Sequence, residues 1–285
     1  MFRWFQKRAD TRVVGGFLRN DGKMLVIDEK GSFEFSSSSM TEWEQTAARL
    51  GSCSLKIVLA AELYQLLAVD RPDVAEEELL QALPFAVREL ANVPLPRLHV
   101  DYFQFAANPA GRDPLQVVAT DRVPLQAMVL LAESVGISIT MITIEELALL
   151  ELLPSTPRPQ LLLWHLPEQP MKLLVAMNGQ LLFTRNIRGF NQLDNLTELE
   201  LYSGLFDGLN LELQRSIDYL ERQLRQPPAD SIALLLPKHV QGAFVEQLEN
   251  SLGLPVHPVI VKEWQGEQLI AHAAAIARGQ DENTN

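Results

Sequence analysis

His165-Leu166-Pro167-Glu168-Gln169-Pro170 stands between two apolar runs. Several nucleotide-binding folds hold phosphate at a turn so placed, and for that they need small residues with free backbone N–H groups. Here proline removes donors, and Glu168 puts a carboxylate where phosphate would sit. The residue types therefore argue for scaffold, not nucleotide chemistry.

Other chemistry is sparse. His99, His165, His239, His257 and His272 fall in separate predicted elements with no HxxxH or HxH spacing, which argues against a metal centre. No GxSxG, Walker or GxGxxG pattern occurs, and Gly15-Gly16 is an isolated pair. Glu76–Glu78 and Glu145–Glu146 open predicted helices, where acids favour the macrodipole without any catalytic role. The serines at 36–39 read as a flexible loop, and Cys53, beside the apolar run Leu55–Ala61, as a buried structural thiol.

The chain's 285 residues suffice for two domains of roughly 120–150 residues each. Hydrophobic content of 47% and charged content of 21% belong to a folded protein. A formal net charge of −12 argues against nucleic acid as a partner. The single cysteine excludes an internal disulfide and suits a reducing compartment. No apolar run approaches the ~18 residues of a spanning helix, and no apolar segment follows the first basic residues as in a signal peptide. A cytoplasmic protein is expected. Phe2, Trp4 and Phe5 interleave with Arg3, Lys7 and Arg8, a pattern suited to an anionic membrane surface. The plainer alternative is that these aromatics dock on their own domain.

The elements that must position these residues follow from periodicity. Residues 12–35 alternate apolar segments with Asn20-Asp21-Gly22 and Lys30-Gly31, predicting two hairpins. A helix follows over Met40–Leu50, with Ser37–Ser39 as caps and Gly51 as stop. Strands are predicted in "SLKIVLA", "LYQLLAVD", 97–106, 114–121 and "ISITMITI". Asp73 is read as the cap of a helix running to about Asn92, kinked at Pro84, and Pro124 and Gly136 bracket another. Three prolines within 154–160 mark a linker. The second half restarts with a three-strand meander over 160–187. A long helix over 209–226 then carries a stripe of Leu209, Leu213, Ile217, Leu220 and Leu224, read as core rather than as a partner zipper. Strand, helix, strand and helix complete it. Each half thus runs strands, helix, strand, helix, which is the layout of the actin-like, Hsp70-like α/β fold.

Several stretches carry a family likeness. Residues 63–105, the run 123–153 and Arg215-Ser216-Ile217-Asp218-Tyr219 resemble, in that order, the PilM-type proteins of type IV pilus inner-membrane platforms, nearest to the branch that builds MSHA pili. The likeness spans roughly residues 10–278. It implies a two-domain actin-like fold: a basic, aromatic segment at 1–10, domain 1 over 11–153 with an inserted subdomain at about 63–120, domain 2 over 160–278, and a disordered tail at 279–285. Aligned by element order, the family's other nucleotide turns fall at Arg19-Asn20-Asp21-Gly22-Lys23 and Pro237-Lys238-His239. The first keeps Asp21 but lacks small hydroxyl residues, and the second lacks a glycine pair. Charge-assisted bonds to phosphate contribute about 1.5–3 kcal/mol each, so losing most of them implies a degenerate site, no ATP cofactor and no enzyme activity.

The resemblance also implies a partner, the cytoplasmic tail of a PilN-type bitopic membrane protein, together with other pilus platform components. The tail would bind between the first subdomain and the inserted one, with Tyr64, Leu66, Tyr102 and Phe105 as groove candidates. The protein would then be a cytoplasmic scaffold peripheral to the inner membrane. Two readings compete: a working actin-like ATPase or sugar-kinase relative, and a type II secretion GspL-like cytoplasmic domain. The latter is less expected because no membrane span follows residue 278.

Overall fold

Two sheets of matching strand order organise the chain. The computed structural model describes residues 12–111 and 114–277. The 1–10 segment, with its candidates Phe2, Arg3, Trp4, Phe5, Lys7 and Arg8, and the 279–285 tail lie outside the described residues.

The first sheet has the order β3-β2-β1-β4-β8, built from β1 (Arg12–Leu18), β2 (Lys23–Asp28), β3 (Gly31–Ser36), β4 (Cys53–Leu59) and β8 (Ser138–Ile144). β1, β2 and β3 pair antiparallel, as the turn residues predict, while β4 runs parallel to both β1 and β8. The second sheet repeats the plan in β11-β10-β9-β12-β13: β9 (Gln160–Trp164), β10 (Met171–Met177) and β11 (Gln180–Ile187) form the antiparallel meander. β12 (Ser231–Leu235) and β13 (Val256–Pro258) add in parallel. Strands such as β9 and β12 are buried at every residue, which is why they read as continuous apolar runs.

A third sheet, β5-β7-β6, comprises β5 (Tyr64–Val69), β6 (Leu98–Phe103) and β7 (Leu115–Asp121), all antiparallel. Helix α2 (Glu76–Val87) packs Leu79, Leu83 and Val87 against Val100, Leu115, Val117 and Ala119 of this sheet. The helix continues through Pro84 and stops at Val87, short of Asn92, and its N-cap is Ala75, not Asp73.

Around the first sheet lie α1 (Met40–Leu50), α3 (Arg122–Ser134) and α4 (Glu145–Leu149). Ser39 caps α1 by accepting from the Glu42 N–H, and Gly51 ends it at a φ of 66°. The serine run is not a loose loop. Ser37 Oγ donates to Gly22 O at 2.8 Å, the Trp43 indole donates to Ser37 O at 2.9 Å, and Ser36 N donates to Glu42 at 2.7 Å.

In the second half a short turn, α5 (Glu198–Glu200), leads through a π-helical turn (Leu201–Leu205) into α6 (Phe206–Asp218), which a second π turn (Tyr219–Gln223) extends. Leu209, Leu213, Leu220 and Leu224 lie in the core with Ile217 packed against it, so the stripe is internal. The Arg215-Ser216 run is structural: Arg185 of β11 donates to Ser216 Oγ at 3.1 Å and to Glu212 at 2.9 Å, and Tyr219 meets Phe183 edge-on at 5.1 Å. Helices α7 (Lys238–Leu252) and α8 (Glu267–Ile276) complete the chain.

The described residues form two compact units. One unit holds residues 12–104, 114–151 and 270–277; the other holds 105–111 and 152–269. Most of α8 therefore belongs to the unit of the first sheet. Gly15 explains this. A Cβ at Gly15 would lie 1.8 Å from Ala271 O, so only glycine in β1 admits the helix backbone at this approach. Lys56 of β4 holds the helix end by donating to Ala277 O at 2.5 Å.

Candidate functional site

The turn between β9 and β10 is the natural place to look for ligand chemistry. Its strands end on buried Trp164 and begin again at buried Met171. His165 N donates to Leu235 O at 3.1 Å and Gln169 N to Leu166 O at 3.1 Å, while Pro167 and Pro170 have no N–H to offer. Glu168 is exposed and takes a left-handed φ of 62°.

Beside this turn lies a cleft of about 500 Å³ lined by Pro167, Glu168, Asn191, Gln192, Asp194 and Asn195. Beneath it the His165 side chain is 0% exposed, with Nδ1 3.5 Å from Asp194 Oδ2. Neither ring nitrogen meets hydrogen-bond geometry. Burial lowers the His165 pKa below 6.5, against the opposing pull of Asp194 and of backbone groups of Asn191, Gln169 and Phe190.

The 19–23 turn is closed on itself. Arg19 N donates to Lys23 O at 2.9 Å, Gly22 N to Arg19 O at 3.1 Å, and Lys23 N to Asp21 Oδ1 at 2.9 Å. Arg19 pairs with Glu34 at 2.8 Å. At the third turn Pro237 is the N-cap of α7 and offers neither an N–H nor a capping side chain, and its carbonyl accepts from Val240 N at 3.1 Å. Arg19, Gly22, Lys23 and Gln169 thus spend their backbone donors within their own turns, and His165 spends its on β12.

The four groove candidates do not share one surface. In the β5-β7-β6 register, Tyr64 aligns with Thr120 and His99, and Leu66 with Val118 and Asp101. Alternation turns this row away from α2. Tyr102 lies on the opposite face, packed against the α2 core, and its hydroxyl donates to Glu76 at 2.6 Å. That bond raises the Tyr102 pKa, and together with Arg71 it lowers that of Glu76. Phe105 lies beyond the end of β6 and belongs to the other compact unit. Strand alternation separates Tyr102 from Tyr64 and Leu66, and the chain leaves the sheet before Phe105.

Tyr64 is also unsuited to meeting a ligand. It is 9% exposed, and its hydroxyl donates to Glu146 at 2.5 Å. Its neighbour Glu145 is fully buried and accepts from Ala61 N at 3.0 Å. Burial and both glutamates push the Tyr64 pKa well above its usual value. The acid pair opens α4 as the sequence implies, yet as a buried anchor rather than as solvated charges. Periodicity gives no sign of this, because two consecutive acids read as surface wherever no partner is in view.

Cys53 is buried, and burial raises its pKa, which leaves a structural thiol. Among the described residues no group of three or more His, Cys, Asp or Glu side chains is placed to hold a metal ion, and no helix is long and apolar enough to cross a membrane.

The repeated sheet order is that of the actin-like fold, and comparison with solved structures gives the same answer. The PilM-PilN type IV pilus biogenesis complex matches with a TM-score of 0.60 at 15% identity, covering 93% of this chain and 98% of that chain. The cytoplasmic domain of EpsL, an inner-membrane component of the Vibrio cholerae type II secretion system, matches with a TM-score of 0.50 at 16% identity, over 94% and 95%. No protein-family model and no curated protein matches.

Proposed function

We propose that this chain is a nucleotide-independent scaffold of a type IV pilus or type II secretion inner-membrane platform. Within that class, the stretches at 63–105, 123–153 and 215–219 favour an MSHA-like pilus, of the MshI type. The partner is the cytoplasmic tail of a PilN-type membrane protein, with other platform components beside it, and the place of work is the cytoplasmic face of the inner membrane. The 1–10 segment assists attachment there. The domain division goes with this reading: an actin-like domain 1 interrupted by the β5–β7 subdomain, followed by an actin-like domain 2.

One observation supports the absence of nucleotide chemistry: Arg19, Gly22, Lys23, His165 and Gln169 already donate their backbone N–H groups to protein acceptors, and Pro167 and Pro170 have none. Phosphate could use those five donors only by breaking bonds already made. Titration calorimetry with Mg²⁺ and ATP should therefore show no binding tighter than a dissociation constant of about 100 μM, some −5.5 kcal/mol. Tighter binding, or ATP turnover, defeats the scaffold reading. For the partner, Leu66 is the useful probe because it is half-buried on the face turned away from α2. Leu66→Glu should weaken binding of a labelled tail peptide by roughly thirtyfold, the effect of about 2 kcal/mol at an apolar anchor. Wild-type affinity in a folded Leu66→Glu protein would move the groove elsewhere.

A further inference from the structure

The cleft beside the β9–β10 turn has a chemistry opposite to the one its position suggests. Its lining carries two carboxylates, Glu168 and Asp194, with the amides of Asn191, Gln192 and Asn195 and no cation. Among the described residues no lysine or arginine pairs with either carboxylate. The buried His165 faces Asp194, with Nδ1 3.5 Å from Oδ2 and no hydrogen bond formed.

We propose that this cleft binds a guanidinium group, with Asp194 as its main carboxylate partner, Glu168 at the rim and the asparagine amides as further acceptors. Three features select that chemistry. Anions are repelled by the two carboxylates. A bound metal ion would need several converging ligands, and no suitable group of three is present among the described residues. Guanidinium is planar, weakly hydrated and a donor at every edge, so an open cleft of about 500 Å³ with carboxylate and amide oxygens can hold it without full burial. The proposal stands whether or not the protein serves a pilus. The group could come from a free guanidino compound or from an arginine side chain on a protein segment.

The His165 ring protons report on the cleft without any substitution. Arginine amide titrated into the full chain should shift the His165 resonances saturably, and citrulline amide, of the same shape but neutral, should not. In Asp194→Asn the binding should weaken at least tenfold, as expected for loss of a charge-assisted bond, with a smaller loss in Glu168→Gln. An unstructured peptide with one arginine that binds over tenfold tighter than arginine amide identifies a protein segment as the source; equal affinity identifies a small molecule. No saturable shift with arginine amide, or an undiminished one in the folded double variant Asp194→Asn/Glu168→Gln, overturns the proposal.

Discussion

Two buried polar clusters, one at the start of β5 and one after β9, resolve the same problem in opposite ways. Around Tyr64, a hydroxyl meets Glu146 and a backbone N–H meets Glu145, so these buried groups have partners. Around His165, both ring nitrogens are buried without a hydrogen bond, and Asp194 stands near but not bonded. Satisfied polar groups rigidify a structure, whereas unsatisfied ones cost stability and persist where something else uses them. The first cluster fastens β5, the first strand of the three-stranded sheet, to the end of β8. The second lies under a cleft. The contrast separates scaffold from candidate site more clearly than any motif in the sequence.

The largest effect should come from breaking the satisfied cluster. Tyr64→Phe removes the hydroxyl and leaves the buried Glu146 carboxylate short of a donor, at a cost of about 2–3 kcal/mol. A urea midpoint that does not move would show that the bond contributes nothing. The same geometry makes Tyr64→Glu a poor probe of peptide binding, because a third carboxylate beside Glu145 and Glu146 would disrupt folding first.

Next in size is the pH dependence. Burial holds the folded pKa of His165 below 6.5, so protonation favours the unfolded chain. The stability is complete above about pH 6.5 and falls as pH drops below it, by at most about 1.4 kcal/mol per pH unit for one proton. His99, whose pKa burial also lowers, adds in the same direction. Denaturation midpoints measured from pH 7.5 to 5.5 should decline, and less steeply in His165→Leu. An equal slope in both proteins would remove His165 from the account.

The smallest effect, and the opposite in sign to Tyr64→Phe, is expected for His165→Leu at pH 7.5. Replacing unpartnered polar atoms by an apolar side chain of similar size should be neutral or stabilising, within about 1 kcal/mol. A loss of 2 kcal/mol or more would mean that the histidine is a satisfied core residue and that the two clusters are alike.

Much was legible beforehand because it depends on local pattern. The turn residues at 20–22 and 30–31 predict the first hairpins, cap and stop residues predict α1, and apolar spacing predicts α6. Together they predict two halves of one plan. Proline and Glu168 in the 164–170 turn already argue against phosphate from residue types alone.

Other features depend on partners distant in sequence. Gly15 looks like an unremarkable member of a glycine pair until Ala271 arrives against it from over 250 residues away. Glu145 and Glu146 read as surface acids until Ala61 and Tyr64 bury them, and the serine run reads as a loop until Gly22, Glu42 and Trp43 take up its hydrogen bonds. The cleft under Glu168 needs the 191–195 loop to close it, and nothing in either segment names the other. Periodicity records which face of an element is buried. Which groups meet there is decided by packing, and with it whether a buried polar atom is an anchor or an open site.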